Sequence, residues 1–151
     1  MYPRLIPGYT TLVIQYLVDP YPTDEDMAAL WMSAWGQPGP ASFANILSRS
    51  LGHVGAFESG SLVAFVNLAW DGGVHAFILD TCVHEAYQRR GIGTALVRKA
   101  IDVACEREIH WLHVDYEKHL DGFYRRCGFQ RTSAGLIDFE LRRPLSPHRR
   151  L

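Results

Sequence analysis

Residues 75–116 leave the chain few arrangements. His75 to Val83 is apolar and bounded by turn residues, and reads as a strand. After a polar loop, Gly91 to Arg107 has the spacing of a long amphipathic helix, with Ile92, Leu96, Ala100, Ile101 and Ala104 on its buried side. His110 to Tyr116 then reads as a strand again. A strand, a long helix and a strand in direct succession form a parallel-type crossover, because a connection of that length cannot close a hairpin.

The rest of the chain wraps around this unit. Thr11 to Val18 predicts a first strand, ended by Pro20 and Pro22. Thr23 is placed to cap a helix whose first turn holds Asp24, Glu25 and Asp26, where the helix dipole favours acids. Met27, Leu30, Trp31, Ala34 and Trp35 give that helix its apolar side, and Gly36 ends it. Phe43, Ile46, Leu47 and Leu51 suggest a shorter helix. His53 to Phe57 and Leu62 to Trp70 predict two strands around a Glu58-Ser59-Gly60-Ser61 turn, and Asp71-Gly72-Gly73 makes the next turn. A short helix is expected over Leu120 to Cys127, a final hairpin over Phe129 to Arg143 turning near Ser133-Ala134-Gly135, and a frayed basic tail over 144–151. Residues 1–151 thus read as one α/β (α+β) domain, with a mixed, mostly antiparallel sheet of about six or seven strands flanked by helices.

Composition narrows the function classes. A net charge of −1 argues against a mainly electrostatic nucleic-acid binder. No apolar run approaches the roughly 20 residues of a membrane span, and the N-terminus has no signal-peptide pattern. The three cysteines, Cys82, Cys105 and Cys127, are odd in number and unpaired in spacing, so they read as reduced thiols in a cytoplasmic protein. Seven histidines invite a metal reading. Yet His113 with Asp115, and Cys82 with His84, make no set of three or four ligands, so no metal is expected.

The loop from Val83 to Thr94 carries the chemistry. A strand ends, and Gly91 and Gly93 stand at the mouth of a helix, whose N-terminal N–H groups and dipole suit a phosphate. Arg89 and Arg90 add charge. The pattern is neither G-x-G-x-x-G nor G-x-x-x-x-G-K-S/T, and no lysine directly follows the glycines, which argues against nucleotide hydrolysis. A plain strand-to-helix turn with solvated arginines would look the same from this loop alone. Gln88-Arg89-Arg90-Gly91-Ile92-Gly93 resembles the Q/R-x-x-G-x-G/A signature of the GCN5-related N-acetyltransferases (GNAT), and Phe123-Tyr124-Arg125-Arg126-Cys127-Gly128-Phe129 is similar to that family's F-Y-x-x-x-G-F segment.

The resemblance implies acetyl transfer from acetyl-CoA, as co-substrate, to a primary amine by direct attack in a ternary complex. It implies CoA contacts from Gln88, Arg89, Arg90, Gly91, Ile92, Gly93 and Thr94. Main-chain donors at Cys82 and Val83 would serve the oxyanion, where the strands flanking the cofactor splay apart. Tyr124 would lie near the CoA sulfur as general acid; otherwise it is a core tyrosine satisfied by a carbonyl. The base stays open between His113 and Asp80, each of which could equally be a packed or paired strand residue, and a water chain could replace both. Cys82 as a covalent carrier is disfavoured, since strand cysteines usually pack as small hydrophobes. Trp31, Trp35, Phe43 and Trp70 could line an acceptor pocket or the core. Two positions depart from the pattern: Glu117 where the family often has Asn, so the pantetheine contacts must differ here, and Glu85 where it often has Pro. The competing reading is a non-catalytic acyl-CoA-binding or sensing module. The acceptor, the acyl length and the oligomeric state stay open, C-terminal strand pairing into a homodimer included.

Overall fold

The computed structural model of the chain describes residues 13–142. Five strands form one sheet in sequence order: β1 (Gln15–Val18), β2 (Ser50–Glu58), β3 (Ser61–Trp70), β4 (His75–Val83) and β5 (Trp111–Val114). Neighbours are antiparallel except β4 and β5, which are parallel and joined across helix α3 (Ile92–Glu106). The crossover read from residues 75–116 is therefore present.

Each face of the sheet has its own core. On one face α3 buries Ile92, Leu96, Val97, Ala100, Val103 and Ala104, and most of these pack on Val54, Ala64, Val66, Leu68 and Ile78. Ile101, expected on the buried side, sits at the margin of that cluster. On the other face, α1 (Asp24–Trp35) and α2 (Ala44–Leu47) seat Met27, Leu30, Phe43 and Leu47 against Leu62, Phe65 and Cys82. Fully burying one such aliphatic side chain stabilises the fold by about 1.5–3 kcal/mol. The start of α1 follows its local signal: the Thr23 hydroxyl accepts the Asp26 N–H at 3.1 Å. The Asp24 carboxylate then accepts the Phe43 N–H at 2.9 Å and ties α2 to α1.

Three expectations change. The first strand begins at Gln15; Thr11 and Leu12 lie outside the described residues. Leu51 belongs to β2 rather than to the second helix, which is only one turn long. The final hairpin does not form among the described residues: 129–138 carry no regular structure, and Phe139–Arg142 is a short helix, α5. Leu136, Ile137 and Phe139 are all exposed there, so the segment has no buried face to reward pairing. The Asp138 carboxylate instead accepts the Glu140 N–H at 2.8 Å and favours a helical turn. The sheet accordingly has five strands among the described residues rather than six or seven. Arg143 and the tail 144–151 lie outside them.

Candidate active site

The site begins where β4 and β5 part. Their register runs from His75↔Trp111 to Ile78↔Val114, yet β4 continues to Val83. Just past the last pair, Asp80 and Thr81 stand opposite the single residue Val66 of β3, a bulge in which Asp80 takes a positive φ of 56°. The His84 N–H donates to the Val63 carbonyl at 2.8 Å. Hydrogen-bond direction alternates along a strand, so the Cys82 N–H also faces β3, while Val83 turns to the gap. The Val83 carbonyl accepts Gln88 Nε2 at 3.1 Å on that side. Of the two main-chain donors expected, only Val83 is aimed into the opening.

The loop after β4 is more ordered than its polar sequence suggests. A 3-10 turn spans Glu85–Tyr87, with the Ala86 N–H donating to His84 Nδ1 at 3.1 Å and the Glu85 N–H to the Ser33 hydroxyl of α1 at 3.0 Å. Arg89 and Gly91 both adopt left-handed backbone, at φ 63° and 80°, and Gly91 caps α3. The left-handed Gly91 followed by the right-handed first turn of α3 turns successive N–H groups to one side, an anion-binding arrangement. The Ala95 N–H is the first to find an acceptor in the helix, the Gly91 carbonyl at 3.1 Å, so the amides of the preceding turn have no intrahelical partner.

These elements enclose a cleft of about 720 Å³. Its walls include Thr81, Cys82 and Val83 from β4, Gln88, Arg89, Gly91, Gly93 and Thr94 from the loop and α3, and Phe123, Tyr124 and Arg126 from α4 (Asp121–Arg126). The lining contains no carboxylate side chain, and Arg89 and Arg126 give it cationic character. That size suits a small-molecule ligand, and the donor set suits a polyanionic one, so the residues present fit a diphosphate-bearing thioester such as acyl-CoA.

Tyr124 stands at the inner end, 5% exposed, stacked on Tyr116 with ring centroids 4.9 Å apart. Burial pushes its phenol above the ordinary value, and the nearby Thr81 hydroxyl opposes that shift. The Thr81 oxygen is itself buried without a regular hydrogen bond, so the two hydroxyls are neighbours rather than a formed pair. Cys82 packs against α1, and burial followed by the nearby Asp80 charge raises its thiol to about 12. A thiol held so firmly protonated is no nucleophile at neutral pH.

The other expected residues are dispersed. The Ile92 side chain is buried in the α3 core. The Arg90 guanidinium is not among the cleft-lining residues; it stands 3.8 Å from Glu58 and lies over the Tyr87 ring. Asp80 borders the cleft-lining Thr81 but is not among the lining residues, and burial raises its carboxyl. His113 lies on the exposed side of β5, where its Nε2 meets His75 Nδ1 at 2.8 Å and its ring stacks on Phe77. Glu117 pairs with His119 at 3.2 Å, and it is His119 that lines the cleft. Phe43 belongs to the core, Trp70 is exposed with its indole N–H on the Gly73 carbonyl, and Trp35 forms a cleft wall with Ala34. Sequence reasoning assigned no role to Thr81, Tyr87, His119, Leu120 or Arg126. Only Arg126, inside the second motif, carried a usable signal.

Comparison with known proteins places this geometry. The model of the acetyltransferase (GNAT) family matches residues 12–129. A mycothiol acetyltransferase of Mycolicibacterium vanbaalenii is 32% identical over 106 residues, covering 66% of this chain and 35% of the relative. A GNAT-family acetyltransferase structure from Streptococcus pneumoniae superposes with a TM-score of 0.69 at 25% identity, covering 83% of this chain and 98% of that one. A Staphylococcus aureus protein described as a probable acetyltransferase has the same fold, with a TM-score of 0.71 at 22% identity over 83% of this chain and 98% of that one. The chain spans about a third of the length of the first curated relatives it matches. Among the described residues no helix is long and apolar enough to cross a membrane, and no group of three or more histidine, cysteine or acidic side chains could hold a metal ion.

Proposed function

The chain belongs to the acetyltransferase (GNAT) family, and from that premise we propose that it transfers an acetyl group from acetyl-CoA to a primary amine by direct attack in a ternary complex. One observation carries the reading: a single cleft joins the free amides at the start of α3 to the Tyr124 phenol. The loop amides and Arg89 bind the diphosphate, with Arg126 adding charge from the opposite wall. The thioester then lies between the splayed strands. The amine nitrogen attacks its carbonyl carbon, and the Val83 N–H stabilises the developing oxyanion. As the carbon–sulfur bond breaks, Tyr124 gives its proton to the departing thiolate.

Proton removal from the amine is assigned to Asp80, directly or through water. It borders Thr81 on the cleft wall, and burial moves its carboxyl toward the range a general base needs. His113 is committed to His75 and Phe77 on the outer sheet face. Ala34 and Trp35 of α1 form the lip by which the acceptor enters.

The rival reading, a domain that holds acyl-CoA without turnover, draws on the absence of both base candidates from the cleft lining. Two measurements decide. Acetyl-CoA and CoA at 100 times Kd should stabilise the fold by about 2.7 kcal/mol, with ATP far weaker. Thiol release from acetyl-CoA across a panel of amines should then show acceptor-dependent turnover. CoA-specific stabilisation with no release for any amine leaves the binding module; no CoA-specific stabilisation removes both readings.

A further inference from the structure

Glu58 ends β2, two strands away from β4, and is 7% exposed. A carboxylate so buried needs partners. Its Oε2 accepts the Tyr87 phenol at 2.5 Å. Its Oε1 is buried without a hydrogen bond, and Arg90 Nη2 stands 3.8 Å from it. The Arg90 guanidinium is also 4.9 Å from the Tyr87 ring centroid, within cation–π reach. Glu58 therefore gathers two side chains of the phosphate loop from 29 or more residues away in sequence.

Tyr87 and Arg90 flank Gln88 and Arg89. With both flanks drawn to Glu58, and Gln88 tied to the Val83 carbonyl, the left-handed Arg89 is turned to the cleft. The same restraint sets the approach to Gly91, where α3 opens. We propose that Glu58 is a positioning residue for the CoA diphosphate: through Tyr87 and Arg90 it fixes the loop in the shape that presents Arg89 and the first amides of α3. This rests on the acetyl-CoA reading above. Glu58 itself contacts neither cofactor nor acceptor.

The test uses the full chain with two substitutions. Glu58→Gln keeps the side chain's shape and removes its charge; Tyr87→Phe keeps the ring and removes the hydroxyl. CoA affinity is measured by calorimetry, and turnover with acetyl-CoA and with S-acetylpantetheine, which has the thioester arm but no diphosphate. Each substitution should weaken CoA about tenfold, as expected for losing a hydrogen bond to a charged group. The double variant should be little weaker than the worse single one, because both act through one unit. For Glu58→Gln, kcat at saturating acetyl-CoA and the KM for S-acetylpantetheine should stay within twofold of the parent. An equal loss with S-acetylpantetheine would reduce Glu58 to a general structural role and overturn the proposal. Unchanged CoA affinity in both variants would also overturn it, as would tighter binding in Glu58→Gln, which would make Arg90 a restrained ligand contact. If Glu58→Gln does not fold, Glu58→Asp takes its place, because Tyr87 also lines the cleft and Tyr87→Phe alone would not separate positioning from direct contact. A parent protein that binds no CoA would instead end the underlying reading, a distinguishable result.

Discussion

Replacing Tyr124 by phenylalanine removes one oxygen from the inner end of the cleft and leaves the ring. The ring holds its place through Tyr116 at 4.9 Å, Phe123 at 4.9 Å and Phe129 at 5.8 Å between centroids. Its hydroxyl neighbours the Thr81 hydroxyl, whose buried oxygen makes no regular hydrogen bond. The usual loss of about 1 kcal/mol per deleted hydrogen bond therefore does not apply. Stability should stay within about 0.5 kcal/mol of the parent, a shift in Tm of no more than about 2 °C for a chain of this size. The chemical cost is separate. A positioned general acid contributes about 10²–10⁴-fold. An alkyl thiol with a pKa near 8.5 leaves as thiolate with modest help, so the low end applies. We expect kcat to fall about 100-fold, or about 2.7 kcal/mol, with the Kd for CoA within twofold. Because burial pushes the phenol above its ordinary value near 10, the donor stays protonated at neutral pH. The alkaline limb of the kcat profile should lie above about 10 in the parent and vanish in the variant. The assays are thiol release under saturating acetyl-CoA, calorimetry and urea unfolding. A fall in kcat of less than threefold, or a matched loss of CoA affinity, would refute the acid role. A stability loss above about 2 kcal/mol would show instead that the phenol holds the fold.

Four further outcomes follow from the same geometry. A Cβ at Gly93 would lie 3.5 Å from Val83 Cγ2 and 3.6 Å from Phe123, so Gly93→Ala should bind no worse than a few-fold, whereas Gly93→Trp must fill the cleft and abolish CoA binding in a folded protein. At Gly91 a Cβ meets nothing within 4 Å, but φ is +80°, so Gly91→Ala should cost about 1–2 kcal/mol in urea unfolding from backbone strain alone. Cys82→Ala should retain kcat within twofold, and iodoacetamide at pH 8 should label the exposed Cys105 ahead of Cys82, whose thiol lies at about 12; rapid labelling of Cys82 would contradict its burial. The contributions of His53 and Asp19 to stability should fall on acidification, while the raised Asp80 carboxyl acts the other way as it takes up its proton. Burial lowers the His53 pKa, so the unfolded chain protonates first, and stability declines as pH drops below about 6.5. For Asp19 burial acts upward, but the Arg107 and His53 hydrogen bonds win and lower it, so its contribution is lost at still lower pH, through its folded value. Urea titrations in which His53→Gln loses stability below pH 6.5 as steeply as the parent would sink this account.

The amino-acid sequence decided whatever rests on neighbours in the chain. Thr23 and the acids after it set the start of α1, because the cap and the dipole act within one turn. Gly91 marked the mouth of α3, since glycine enters left-handed backbone at no steric cost. The strand–helix–strand run of 75–116 gave the parallel crossover, and the two glycine-bearing motifs gave the family. Contacts far apart in sequence were decided only by the tertiary structure. Arg90, read as a ligand for phosphate, turns to Glu58 across the sheet. The bulge at Asp80 exchanges the faces of the residues after it and brings Thr81, rather than Asp80, to the cleft wall. The register of β5 puts His113 opposite Phe77, on the outer face, because side chains alternate with a period of two and pairing alone fixes which side each one takes. Leu136, Ile137 and Phe139 read locally as a hairpin, yet a strand forms only where a partner edge and a buried face meet it, and neither property is written in the segment itself.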